Sequence, residues 1–341
     1  MRRIEGHAKS VRDVLAGKRY AIDFYQREYR WQRKQVAELV EDLTQQFLGH
    51  YSEGHDRKAV ATYGHYFLGS IILSQRESQV FIVDGQQRLT TLTLLLIILH
   101  LRQGQRPDRV KLEDMIYVEK YGERTFNIAV PERAAAMEAL FQGDTPDTAG
   151  SSESVQNIVA RFEDLEELLA EAEIDDHAIP FFCDWLIDNV HLVEISAATD
   201  EDAYTIFETM NDRGLSLSPL DMLKGYLLAN ITDAEKRNLA ATVWKERIAS
   251  LGKIGKDEDS DGVKAWLRGR HADTVRERKR GSENQDFEKI GTEFHRWVGD
   301  HEAALGLTDS AGYFAFTHDE MPNYLRHYER VRTAADHLTP G

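Results

Sequence analysis

A mixed α+β fold is what the sequence predicts, with a small α/β portion reaching about residue 130 packed on a larger, mostly α-helical portion. Three observations carry this. Phe81-Ile82-Val83-Asp84 is a short apolar run ending in an acid, Gly85 follows, and Leu89 to Leu101 is then apolar nearly all round. That is the pattern of a strand, a tight turn and a buried helix. Tyr20, Ile22 and Phe24 alternate with Ala21, Asp23 and Tyr25, the period of a half-buried strand. Beyond Ile231 the apolar residues fall at helical spacing, with Trp244, Trp266, Trp297 and Tyr324 as core anchors.

In chain order, residues 8–17 predict a short helix with Val11, Val14 and Leu15 on one side. The strand at 20–25 runs into Gln26-Arg27-Glu28-Tyr29-Arg30-Trp31, and Lys34 to Gly49 carries Val36, Leu39, Val40, Leu43 and Phe47 on one helical face. Phe67–Leu73 and Val80–Val83 are two further strands, and the second delivers the chain to Asp84. Phe126–Val130 adds a strand, and Pro131 starts a helix reaching Phe141. Gly143 to Ser154, rich in Gly, Ser, Thr, Asp and Pro, marks a linker, which divides the chain into 1–142 and 143–341. Helices at 154–172 and 177–187, a strand at 190–195 and a helix at 200–210 follow. Ser218 caps a new helix with Pro219 in its first position and Asp221 in its first turn.

Composition bounds the function. At 341 residues, 42% hydrophobic and 29% charged, the chain reads as an ordinary soluble protein with a sizeable core. No apolar run is long enough to span a bilayer, so the expected partners include no membrane and the expected location is the cytoplasm. One cysteine, Cys183, excludes an internal disulfide framework and a cysteine-rich zinc site, and its neighbours Phe182 and Trp185 suit a small core residue. A net charge of −16 argues against coating nucleic acid with the whole surface. Two basic islands stand out against it, Lys18 to Lys34 and Lys264 to Arg280. The second is read as a solvated helix in preference to a DNA contact.

Chemistry concentrates at Asp84-Gly85-Gln86-Gln87-Arg88. The first backbone N–H groups of a helix are unpaired and sit at the positive end of its dipole, so this junction suits phosphate. Asp84 could hold Mg²⁺ or orient a water, Gln86 and Gln87 could donate to oxygens, and Arg88 could pair with phosphate. A structural reading stands beside it: Asp84 as N-cap, Gly85 relieving the turn, Arg88 neutralising a carboxylate. Tyr25, Gln26, Arg27, Tyr29, Arg30 and Trp31 combine amide, guanidinium and aromatic groups in a mix that suits nucleic acid, with arginines for phosphates and rings for stacking. Equally, Tyr29 and Trp31 could plug the core. Asn211, Arg213 and Gly214 form a polar turn between two helices, within reach of Lys224. The sequence lacks a Gly-x-x-x-x-Gly-Lys phosphate loop followed by Ser or Thr, a metalloprotease helix motif, a serine-hydrolase elbow and an HNH cluster.

Read together, Tyr25 to Trp31, Asp84 to Arg88 and Phe207 to Gly214 resemble the N-terminal domain of GmrSD-type modification-dependent restriction proteins. The resemblance covers roughly the first two-thirds of the chain. It implies a ParB-like nucleotide-hydrolysing fold, commonly followed by an HNH nuclease domain that this chain either lacks or has been cut before. Other restriction subunits are the alternative partners. It further implies Mg²⁺ and a nucleoside triphosphate, GTP or ATP, as cofactors. Asp84, Gln86, Gln87 and Arg88 become catalytic residues, with Asp84 as metal ligand. Gly85, Asn211, Arg213, Gly214 and Lys224 become nucleotide-binding, and residues 25–27 and 29–31 an edge that senses modified DNA. One branch of the family senses phosphorothioate DNA in antiphage defence. The alternatives are a DNA-recognition module without turnover and a helical interaction protein whose acidic surface meets a basic partner.

Overall fold

The computed structural model describes residues 5–22, 29–76, 79–120, 122–197, 206, 218–276 and 282–338. The fold is mixed α+β, and the chain divides into two compact units, Met1–Phe207 and Glu208–Gly341. The glycine- and serine-rich stretch at 143–152 joins two helices of the first unit.

The first unit contains strands β1 (Glu5–Ser10), β2 (Tyr20–Ile22), β3 (Tyr66–Arg76), β4 (Gln79–Asp84), β5 (Tyr117–Lys120), β6 (Glu123–Phe126), β7 (Ile128–Ala129) and β8 (Val190–Ala197). Six form a mixed sheet in the order β1-β8-β3-β4-β2-β7, and β5 and β6 form a separate pair. Strands β4 and β7 lie parallel to β2, β3 is antiparallel to β4, and β8 is parallel to β3. The sheet therefore does not end near residue 130 as expected, because β8 inserts between β1 and β3. Strand β1 had no sequence signal: its residues are mostly exposed and polar, and only backbone pairing with β8, from Glu5 opposite Ser196, makes it a strand.

Helices of this unit are α1 (Val11–Leu15), α2 (Arg33–Leu48), α3 (Gln86–Gln103), α4 (Ala134–Gln142), α5 (Glu153–Glu171) and α6 (Ile179–Asp188). Ser10 caps α1 by accepting from the Asp13 N–H at 3.1 Å, while the Asp13 carboxylate accepts from the Ser10 N–H at 3.3 Å. Along α2, Val36, Leu39, Val40, Leu43 and Phe47 are buried, as their spacing requires. Helix α3 is the central element. It packs against α4, α5 and α6, and its leucines and isoleucines from Leu89 to Leu99 are buried on all sides. Full burial of each such side chain contributes roughly 1.5–3 kcal/mol. Cys183 is fully buried in the same core, and burial pushes its thiol up, away from thiolate chemistry.

The described part of the second unit is helical: α7 (Pro219–Ala229), α8 (Ala234–Gly252), α9 (Glu258–His271), α10 (Asp286–Asp300), α11 (Ser310–Phe314) and α12 (Met321–Leu338). The Ser218 hydroxyl accepts from the Asp221 N–H at 3.2 Å, the predicted cap. Trp244, Trp266 and Trp297 are buried, with the Trp266 and Phe316 rings 4.6 Å apart, whereas Tyr324 is only partly buried. The basic residues of 264–276 are engaged within this unit. Lys264 lies 3.3 Å from Asp261, Arg270 lies 3.8 Å from Glu320, and Arg268 donates to the Phe287 carbonyl at 2.9 Å while covering its ring. Arg278, Lys279 and Arg280 lie outside the described residues.

Candidate functional site

Strand β4 ends at Asp84, and Gly85 turns the chain directly into α3. The turn requires glycine twice over. Its φ is +94°, in the left-handed region, and a Cβ there would stand 2.6 Å from Ile71 Cγ2. Asp84 pairs with Ile72 across a β-bulge at Ile72/Leu73, so β3 continues past the end of β4 and borders the first turn of α3. Because β2 runs parallel to β4, with Ile22 opposite Ile82, the carboxyl ends of both strands open at the same edge of the sheet. Ligands of open α/β sheets gather at such edges.

Arg88 is braced there by backbone. Its Nη1 donates to the Ser70 carbonyl at 2.7 Å, and its guanidinium lies over Gly69, where a Cβ would be 3.2 Å from Arg88 Cζ. Gly69 has φ +104° and sits where the β3–β8 register shifts. A lone glycine inside a strand pattern signals a bulge or a close approach, and that signal was available in the sequence at Gly69. Tyr66, whose hydroxyl donates to Asp42 Oδ2 at 2.8 Å, interacts electrostatically with Arg88. Burial holds the Asp84 carboxyl above the usual carboxylate range, offset in part by the Gly85 N–H and by the Arg88 charge. Burial lowers Arg88, against the attraction of Asp84 and Tyr66.

The two glutamines behave differently. Gln86 is only 2% exposed, and neither its Oε1 nor its Nε2 has a hydrogen-bond partner among the described residues. An unsatisfied buried amide in a native fold calls for an explanation. Gln87 instead uses Oε1 to accept from the backbone N–H groups of Arg30 at 2.8 Å and Trp31 at 3.2 Å. Ile22 thus lies beside β4, and Arg30 lies against the first turn of α3. Two motifs separated by more than fifty residues meet at one helix end.

Tyr29 is fully buried, its hydroxyl 2.8 Å from Thr91 Oγ1 and its carbonyl accepting from Asn157 Nδ2 at 3.0 Å. Of the two readings of this ring, packing describes where it sits, since a stacking platform needs an open face. Trp31 packs partly buried against the core, and Arg30 is exposed. Tyr25, Gln26, Arg27, Asn211, Arg213 and Gly214 lie outside the described residues. Lys224 is on α7, in the second unit.

Among the described residues, no group of three or more His, Cys, Asp or Glu side chains is placed to hold a metal ion, and no helix is long and apolar enough to cross a membrane. A lone carboxylate such as Asp84 is compatible with Mg²⁺, which commonly takes one or two protein carboxylates and completes its shell with phosphate oxygens and water.

No curated protein matches this sequence. The family model described as GmrSD restriction endonuclease, N-terminal domain, matches residues 11–228, which takes in all three motifs. By that match over most of its length, the chain belongs to the GmrSD restriction endonuclease N-terminal domain family.

Proposed function

We propose that this chain is the nucleotide-hydrolysing and DNA-sensing part of a restriction system, with the Asp84–Arg88 junction as its triphosphate site. The observation that carries this reading is the junction itself. A partly buried carboxylate, a glycine in a left-handed turn, a helix N-terminus and a braced arginine converge at the carboxyl edge of the sheet. In this reading the first N–H groups of α3 hold phosphate oxygens, and Arg88 offsets charge as the terminal phosphoryl group passes to water. Asp84 holds Mg²⁺, which supplies further neutralisation of the phosphates. Asn211, Arg213, Gly214 and Lys224 are carried as nucleotide-binding residues on the family resemblance alone.

The DNA-sensing edge of this reading is residues 25–27 with Arg30 and Trp31, the last two tied to the junction through Gln87, while Tyr29 anchors the segment in the core. A single side chain that holds both motifs gives DNA a direct way to bias turnover. The sulfur of a phosphorothioate is larger and less strongly hydrated than oxygen, so an aromatic wall beside a cation suits it. The partners are modified DNA and a nuclease, either an HNH domain or another restriction subunit.

Phosphate release with GTP or ATP and Mg²⁺ tests this, with and without plain or phosphorothioate DNA, alongside Asp84→Ala. Turnover that disappears in the variant and rises with one DNA is the expected result. DNA binding without turnover in the wild-type chain would replace this reading with a recognition module.

A further inference from the structure

A cavity of about 430 Å³ opens in the first unit between α3, the strands β6 and β7, and α4. That volume lies within the roughly 300–1,000 Å³ typical of small-molecule sites. Its apolar wall is made by Phe126, Ile128, Met137 and Ile158. Three arginines line it, Arg19, Arg124 and Arg133, against one acid, Glu138, which lies 3.1 Å from Arg124. Arg133 is only 5% exposed and Arg19 is at the surface. This is a cationic enclosure in a chain of net charge −16.

The α3 side of the cavity carries Thr90 and Thr93. Thr93 spends its hydroxyl on the Leu89 carbonyl at 2.9 Å. Thr90 is 4% exposed, and its hydroxyl has no hydrogen-bond partner among the described residues. At about 100° per residue, Gln86, Thr90 and Thr93 fall within roughly 60° of one another around α3, whereas Arg88 lies about 160° from Thr90. The Arg88 face meets β3, and the Thr90 face meets this cavity. The unpartnered Gln86 amide therefore shares a face with the cavity, one helical turn before Thr90.

We infer that this cavity is a second small-molecule site, which takes a nucleoside phosphate and is distinct from the Asp84–Arg88 junction. The apolar wall receives the flat base, the Thr90 hydroxyl supplies a hydrogen bond, and the arginines meet the phosphate. The site goes beyond the proposed hydrolytic activity and does not depend on it. Occupancy would press on the same helix whose first turn forms the junction, so the ligand has the position of an effector.

Calorimetric titration with the four ribonucleoside monophosphates tests the inference, since these probes need no hydrolysis. Wild-type protein should bind at least one of them more tightly than about 1 mM, a free energy beyond about 4 kcal/mol. Ala134 lines the cavity yet is exposed, so Ala134→Trp blocks the mouth without disturbing the core and should weaken binding at least about tenfold. Thr90→Val keeps the shape, removes the hydroxyl and should weaken binding roughly three- to tenfold. Arg88→Ala, on the opposite face, should leave the affinity within about twofold. Absence of binding in the wild type would overturn the inference, as would binding lost in Arg88→Ala but retained in Ala134→Trp and Thr90→Val. Failure of triphosphate turnover, with monophosphate binding intact, would sink the hydrolytic reading and leave this one standing.

Discussion

Gly85→Ala isolates the backbone geometry of the junction. At φ +94° an alanine adopts a left-handed conformation that disfavours an L residue by roughly 1–2 kcal/mol. Its new Cβ would also stand 2.6 Å from Ile71 Cγ2, inside any ordinary carbon–carbon contact. Ile71 is fully buried on β3 and β-branched, so it has little freedom to swing away, and overpacking of this kind adds about 1–3 kcal/mol. The sum, about 2–5 kcal/mol, is a large part of the roughly 5–15 kcal/mol that holds a typical domain. Urea unfolding measures it, with the slope expected to stay constant while the midpoint falls. Adding Ile71→Ala separates the two parts, because removal of Cγ2 relieves the contact but not the dihedral. The double-mutant cycle should show a favourable coupling of about 1–3 kcal/mol. A Gly85→Ala protein within about 0.5 kcal/mol of wild type, or a cycle with no coupling, would refute the account of the turn.

Other outcomes follow from the same geometry. Asp84→Asn should stabilise the fold near neutral pH and, in the hydrolytic reading, remove turnover. Burial raises the Asp84 pKa above its unfolded value, so the native state holds its proton more tightly. Wild-type stability therefore falls as pH rises from the ordinary carboxylate range through the raised value, and unfolding curves across that window should show the variant's advantage shrinking at acid pH. Gln87→Leu deprives the Arg30 and Trp31 N–H groups of their acceptor, so amide exchange at both positions should accelerate by about tenfold or more. In the hydrolytic reading, the same variant should retain turnover and lose its stimulation by DNA. Asn127 is fully buried and donates to the Leu15 carbonyl at 2.6 Å; Asn127→Ala should cost about 1–3 kcal/mol in chemical denaturation. Cys183 should resist thiol reagents in the native state and react on unfolding, because it is buried and held as the thiol.

The candidate site was legible in outline because local sequence encodes it. An apolar run that stops at Asp84, a glycine and a helix apolar all round can be seen without knowing what surrounds them, and α2 and α7 announced themselves by periodicity and capping in the same way. Gly69 was legible in principle, as a glycine inside a strand, but its purpose was not. That depends on Arg88, nineteen residues later, reaching back across the sheet. The roles of the two glutamines were beyond local reading as well. Adjacent helical positions point about 100° apart, so Gln86 faces inward without a hydrogen-bond partner among the described residues while Gln87 ties down Arg30 and Trp31.

By itself, then, the sequence determined the elements whose signals are periodic or stereochemical: the strand into Asp84, the left-handed glycine, the buried helix, the capped start of α7. Tertiary structure alone decided what those elements face. Strand β1 exists because β8 offers it hydrogen bonds, and β8 lies in the sheet because β3 has a second edge to pair, with Ile72 to Ser74 bonded to β4 on one side and β8 on the other. Tyr29 went to the core because Thr91 and Asn157 meet its polar atoms there. The cavity beside Thr90 arises where α3, α4 and the β6–β7 strands come together, segments whose separate sequences carry no trace of the space between them. Local propensity depends on a few neighbouring residues, whereas burial, pairing and cavities depend on which distant surfaces the folded chain brings within contact distance.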